Sequence, residues 1–423
     1  MTPADFALRN VGLMVTLAGH APRVGHALGA LGAREGAALA AFDGRIVWLG
    51  DDRDFASAVA PRPGAAILDA EGAAVVPGFV DPHTHLCYAG DRDDEIERRL
   101  TGASYQEIAA AGGGIVRSVA ATRAASKAEL VQGLQARLDE LLACGTTTAE
   151  VKSGYGLEPE AEVRSLEAIR LAAERHPITV VATFLGAHEV PVEHRADRAR
   201  YLDLLVDEMI PEVARRDLAT FCDVFCEHGV FSVAESRRVL EAARRAGMQL
   251  RIHADELAWT GGAELAAELG ARSADHLIFA SQAGMEALAR AGCVGTVLPA
   301  AAFYLRLPRY APARAMIEAG VPLAIATDAN PGGGLSPSVP FAMTVACFAM
   351  GLALEEALAA ATINAAFSLG LEREVGSLEM GKRADLVLLR SRRLLDLVRV
   401  GVPAIRAVVK DGRVVVREGV RVQ

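Results

Sequence analysis

Eight segments of this 423-residue chain share one form, a short apolar run that ends in polar or ionisable residues. They are 78–85, 146–155, 179–189, 221–228, 249–256, 273–276, 293–299 and 322–328. Between most of them lie Ala-, Leu-, Glu- and Arg-rich stretches of helical period, such as 160–175, 233–246 and 282–291. Eight strand-then-helix units make an α/β architecture, a (β/α)8 TIM barrel, the economical fold. In that barrel the chemistry gathers at the C-terminal ends of the strands.

The two ends of the chain read differently. Residues 1–75 hold short β-type runs with turn chemistry, including Asp43-Gly44, and residues 376–423 repeat the pattern around Asp411-Gly412. Neither end is long enough for a sheet of its own. The expectation is one small β-sandwich-like domain built from both ends, flanking a barrel over 76–375.

Composition narrows the function. A net charge of −9 argues against a nucleic-acid partner. The densest basic stretch, Arg195, Arg198 and Arg200, is diluted by Asp197 and Asp203 and reads as a solvated helix face. The six cysteines form no Cys-x-x-Cys and read as buried small hydrophobes of a reducing cytosol. The first residues lack the basic start and apolar run of a signal peptide. The longest apolar stretch, 339–354, is shorter than a membrane span and reads as a buried helix. A cytoplasmic protein with no membrane partner is expected.

His83-Thr84-His85 closes the first segment. Alternate side chains of an extended segment share a face, so both imidazoles can aim at one point. A lone His-x-His is a weak signal for a metal. It gains weight because His83, His85, His188, His228, His253, His276 and Asp328 all fall at predicted strand ends, where chance would scatter them. His83 and His85 from strand one, His253 from strand five and Asp328 from strand eight assemble into a metal site. Three imidazoles and a carboxylate leave room for a water, as in a catalytic site. The metal would bring that water's pKa toward neutrality. Zinc and ferrous iron suit the donors equally. Lys152 lies on strand two and is expected in a structural ion pair, so one divalent ion is expected. His20, His26, His176 and His194 are expected in loops or at the surface, and Cys87 is expected to pack without binding metal.

These residues resemble the amidohydrolase superfamily. Longer stretches are similar to its imidazolonepropionase family: 81–85 with 89–92, then 102–114, 150–157, 184–188, 253–256 and 327–332. The resemblance implies hydrolysis of the cyclic amide of 4-imidazolone-5-propanoate to N-formimidoyl-L-glutamate by a metal-activated water, in histidine degradation, and suggests a homodimer. Asp328, Glu256 and His276 are the candidate catalytic groups, with the division of labour among them open. Arg92 can offer a fork to the substrate's carboxylate tail, although a salt bridge with Asp91 or Asp93 would look the same in sequence. By resemblance Tyr155, His188 and Glu256 meet substrate, as does the backbone of Asn330, Gly332 and Gly333. The glycines there are expected to free N–H donors, with a helix starting at Ser336-Pro337. Where the family often has Ser, this chain has Gly333. A deaminase acting on a cyclic amidine or nucleobase is the nearest rival, and a catalytically silent scaffold is the rival from another class.

Overall fold

The computed structural model describes residues 1–103, 107 and 112–422. Within the 102–114 motif, residues 104–106 and 108–111 lie outside those described. The chain opens with β1 (Thr2–Val15), β2 (Ala33–Phe42), β3 (Arg45–Asp51), β4 (Val59–Asp69) and β5 (Ala74–Pro77). It then enters a run of eight parallel strands: β6 (Phe79–Asp81), β7 (Thr146–Lys152), β8 (Thr179–Ala187), β9 (Phe221–Cys226), β10 (Gln249–Ala254), β11 (Ser273–His276), β12 (Val294–Val297) and β13 (Leu323–Ile325). Each of the eight predicted segments supplies one strand, in sequence order around the sheet.

Helices fall between the strands where the apolar period placed them. Pro159–Ala173, Val233–Arg245 and Gln282–Ala291 are three of them. Ser232 and Glu235 form a reciprocal capping box at the second, and the Ser281 side chain caps the third. The 339–354 stretch is the buried-face helix Val339–Met350. Its cap is Ser338 and its first turn carries Pro340, so the helix expected at Ser336-Pro337 begins a few residues later. Among the described residues, no helix is long and apolar enough to cross a membrane.

The first strand is shorter than the sequence suggests. It ends at Asp81 because Pro82 has no N–H to extend the ladder. The chain past it then closes the barrel. Asp328 N–H donates to the His83 carbonyl at 3.1 Å and His85 N–H to the Ala329 carbonyl at 2.9 Å, with Thr84 bridged to Ala329. The Asp81 carboxylate pins the same seam, accepting from the Thr327 hydroxyl at 2.6 Å and N–H at 3.1 Å. The seam where strand one meets strand eight is therefore where His83, His85 and Asp328 come together.

The C-terminal segment supplies β14 (Leu386–Leu389), β15 (Ile405–Lys410), β16 (Arg413–Arg417) and β17 (Val420–Arg421). Antiparallel pairing of β14 with β5 joins them to the N-terminal strands in one nine-stranded mixed sheet. Both Asp-Gly turns have positive φ at both residues (50° and 74°, then 49° and 70°), the type I′ conformation that suits twisted hairpins. The sheet folds back on itself around Phe6, Leu8, Ile46, Leu386, Leu388 and Val409. Ala384 N–H reaches the Gly44 carbonyl at 2.8 Å across that fold. Gly78 alone separates this sheet from the barrel, and a Cβ there would lie 2.2 Å from the Thr147 hydroxyl oxygen.

Candidate active site

The four predicted metal ligands converge at the barrel's C-terminal end. His83 Nε2 and His85 Nε2 are 3.2 Å apart, and His253 Nε2 is 3.3 Å from His85 Nε2. Asp328 Oδ1 lies 3.5 Å from His83 Nε2 and 3.4 Å from His85 Nε2. Donors about 2.0–2.1 Å from one tetrahedral zinc ion would stand roughly 3.3–3.4 Å from each other. Asp328 Oδ1 is buried with no hydrogen-bond partner, an expensive state that a cation would relieve. Burial above all, and then nearby positive groups, hold His83 and His85 well below the ordinary imidazole pKa. Neutral imidazoles are the form that binds a metal. The donor set fits a divalent cation.

Two carboxylates orient the ligands from below. Asp275 Oδ2 is 2.7 Å from His83 Nδ1, and Asp223 Oδ2 is 3.0 Å from His253 Nδ1. Each contact favours a proton on Nδ1 and leaves Nε2 for the metal. Sequence reasoning missed both carboxylates. Their signal was the position of an Asp two residues into a barrel strand, where packing alone would place an apolar side chain. Lys152 is in the ion pair expected of it, with Nζ 2.6 Å from Glu150 Oε1 and 2.8 Å from Asp223 Oδ2.

Above the ligands lies a cleft of about 90 Å³ whose lining includes His85, His253, Asp328, Glu256 and His276. Tyr155, His188, Arg92, Asn330, Gly332 and Gly333 line it too, joined by the apolar Phe225, Leu257, Leu305 and Leu307 that the sequence did not single out. His276 and Asp328 adopt left-handed backbone, φ 72° and 53°. Such strain costs about 1–2 kcal/mol per residue and is typically retained where a side chain must be aimed. Burial is the main cause that raises the Glu256 carboxyl well above its usual range, and the charges of Asp328 and Glu227 add to it. Its Oε2 lies 3.6 Å from His276 Nε2. His188 is pushed down to about 3, mainly by burial, and its Nδ1 contacts the Gly154 carbonyl at 2.8 Å.

Arg92 pairs with neither Asp91 nor Asp93, the alternative to a role at the carboxylate tail; it is buried against Glu95, with Nε and Nη2 2.8 and 2.7 Å from Glu95 Oε2. The Gly332 and Gly333 N–H groups are not free in this structure. Both donate to Asn330 Oδ1, at 2.8 and 2.6 Å, because the Asn side chain folds over its own turn. The need for glycine at 332 is instead steric, since a Cβ would fall 2.1 Å from Arg92 Nη1. His228 lies two residues past the end of β9, is exposed and does not line the cleft. His176 lies in a loop, yet it is buried against Asp139. His20 and His26 are exposed, His194 is half-buried, and Cys87 packs in the core.

The family model described as the amidohydrolase family matches residues 74–415. Curated relatives named imidazolonepropionase include one from Symbiobacterium thermophilum, 53% identical over 99% of both chains. Another, from Geobacillus kaustophilus, is 48% identical over 97% of this chain and 98% of its own. Among solved structures, a triazine hydrolase variant superposes with a TM-score of 0.76 at 16% identity, covering 98% of this chain and 95% of its own. A zinc-bound adenosine deaminase from Xanthomonas campestris gives 0.70 at 20% identity, covering 100% and 95%. At such identities these two speak for the fold alone. The chain belongs to the amidohydrolase family and, within it, to the imidazolonepropionases.

Proposed function

We propose that this cleft opens the ring of 4-imidazolone-5-propanoate by hydrolysis of its cyclic amide, giving N-formimidoyl-L-glutamate in histidine degradation. The observation that carries the reading is the convergence of three imidazoles and the partnerless Asp328 oxygen beneath a cleft that also holds Arg92. We propose one divalent ion, zinc or ferrous iron, held by His83, His85, His253 and Asp328. Bound there, it supplies Lewis acidity and a water acidified toward neutral pH.

The chain's own residues do the rest. Asp328 takes a proton from the attacking water as the water oxygen bonds to the ring carbonyl carbon. His276 donates an N–H to the carbonyl oxygen as it gains charge. Glu256 is held in its acid form by burial, and it gives a proton to the ring nitrogen as the C–N bond breaks. The proton held on Asp328 then restores Glu256. Arg92, oriented by Glu95, meets the propanoate tail, while Tyr155, His188 and the Asn330–Gly333 turn wall the ring.

A deaminase needs no cation for a carboxylate tail, and Arg92 lining the cleft weighs against it. A homodimer in the cytoplasm, with only a small-molecule substrate, completes the reading. The test is to load the chain with zinc or ferrous iron, add imidazolone propanoate and follow loss of the ring chromophore with formation of N-formimidoyl-L-glutamate. No turnover with metal present overturns the assignment.

A further inference from the structure

Beneath the imidazoles, five charged side chains fill a layer of the barrel interior that branched apolar residues usually occupy. Glu150, Lys152, Asp223, Arg251 and Asp275 are each fully buried. Buried ion clusters are poor sources of stability, because desolvation offsets most of their attraction. Their place directly under the ligands asks for another role.

The contacts converge on Glu150. It lies two residues before Lys152 on β7, so both side chains project to the same face. Its Oε1 takes Lys152 Nζ at 2.6 Å and lies 3.6 Å from Arg251 Nε. Lys152 reaches on to Asp223 Oδ2 at 2.8 Å, the oxygen that faces His253 Nδ1. Arg251 Nη2 reaches Asp275 Oδ2 at 3.2 Å, the oxygen that faces His83 Nδ1. The same guanidinium donates to the Pro82 carbonyl at 2.7 Å, just before the His-x-His segment.

Glu150 also holds that segment directly. Its Oε2 accepts from Thr84 N–H at 3.2 Å, and its carbonyl accepts from the Thr84 hydroxyl at 2.6 Å. Thr84 stands between His83 and His85. One carboxylate therefore ties the backbone of the first two ligands to the cations that fix the supports of His83 and His253. Formally, three carboxylates against two cations leave one net negative charge in the layer beneath the ligands.

We infer that Glu150 is a positioning residue of the metal site, joining the ligands of strand one to the ligand of strand five through Lys152 and Arg251. The inference rests on the reading of His83, His85, His253 and Asp328 as metal ligands. It is tested on the full chain by competition for Zn2+ against a chromogenic chelator, with circular dichroism and thermal melting beside it. Glu150→Gln keeps the shape and removes the charge, and is expected to weaken Zn2+ binding by about 10–100-fold while the chain stays folded. Glu150→Asp, which keeps the charge, recovers part of the affinity. Should Glu150→Gln fail to fold, Glu150→Asp decides the matter, because its shorter carboxylate cannot reach Thr84 N–H, Lys152 and Arg251 together and is expected to bind Zn2+ a few-fold more weakly than the parent. Parent-like Zn2+ affinity in Glu150→Gln, or in Glu150→Asp in that event, overturns the positioning role. A parent chain that binds no Zn2+ or Fe2+ overturns instead the metal reading beneath it.

Discussion

In the small sheet, Lys410 of β15 is buried with Nζ 2.6 Å from Asp385 Oδ2, and Asp385 Oδ1 accepts the Asp411 N–H at 2.9 Å. In the barrel, Lys152 of β7 is equally buried but shared between two carboxylates, one of which faces a ligand imidazole. The first arrangement is closed, since its spare oxygen is used on the backbone of the next turn. The second is open upward, because the Asp223 oxygen that takes Lys152 also faces His253, which lines a cleft. A buried lysine says little by itself; what its partners touch decides whether it supports a hairpin or a reaction.

Substitutions should separate the two regions, with activity lost at the mouth of the barrel and stability lost in the sheet. The largest effect is expected at Asp328. Asp328→Asn removes a ligand charge and the acceptor for the water's proton, so kcat/KM should fall about 10³-fold or more with little change in melting. A variant that keeps near-parent turnover would break the assignment of Asp328.

Next comes Glu256→Gln, for which kcat should drop about 10²-fold or more. Burial raises Glu256, so its acid form persists to higher pH than that of an ordinary carboxyl and is lost as pH rises through the raised pKa. The parent's alkaline loss of kcat should therefore vanish in Glu256→Gln. An unchanged limb would assign it to another group.

At Arg92 the expected signature is in KM. A hydrogen bond to a charged group is worth about 1.5–3 kcal/mol, so Arg92→Gln should raise KM by roughly 10–150-fold with a smaller change in kcat. Equal losses in kcat and kcat/KM would mean that Arg92 acts in the transition state instead.

In the sheet, Asp385→Asn leaves buried Lys410 with only the more distant Asp411 carboxylate, 3.9 Å away, and should cost about 3 kcal/mol of stability in denaturant melts. KM and Zn2+ affinity should stay at parent values, and a shift in either would join the sheet to the site. The smallest effect belongs to Gly333→Ser. Its Cβ would meet Leu305 at 3.2–3.4 Å, a contact that a small side-chain shift relieves. A change in KM of only a few-fold is expected, and a loss comparable to that of Arg92→Gln would show that the gap at Gly333 matters to substrate binding.

The sequence made the strand ends legible. Apolar runs that stop in His, Glu or Asp mark where a buried strand reaches the rim, and all eight became strands of one sheet. The two Asp-Gly turns were equally readable, because few residue pairs take positive φ twice in succession. Other features depended on partners far away in the chain. Asp275 is 192 residues from His83, and although its place inside a strand is unusual, nothing local says which ligand it backs. Arg92 looked ready for either role until Glu95, one helical turn on, was seen to take two of its donors. The Asn330 turn misled for a local reason: an Asn beside glycines can consume the very N–H groups that the glycines expose.

By itself, then, the chain determined which residue types arrive at the barrel's mouth, because the period of the strands and the placement of polar residues are written locally. The tertiary structure alone decided how they act together. Closing strand one against strand eight brought His83, His85 and Asp328 within 3.5 Å of one another. Folding the barrel also enclosed charges from β7, β9, β10 and β11 beneath them. Electrostatic coupling inside a protein depends on separation and burial. Neither is fixed until distant strands have met.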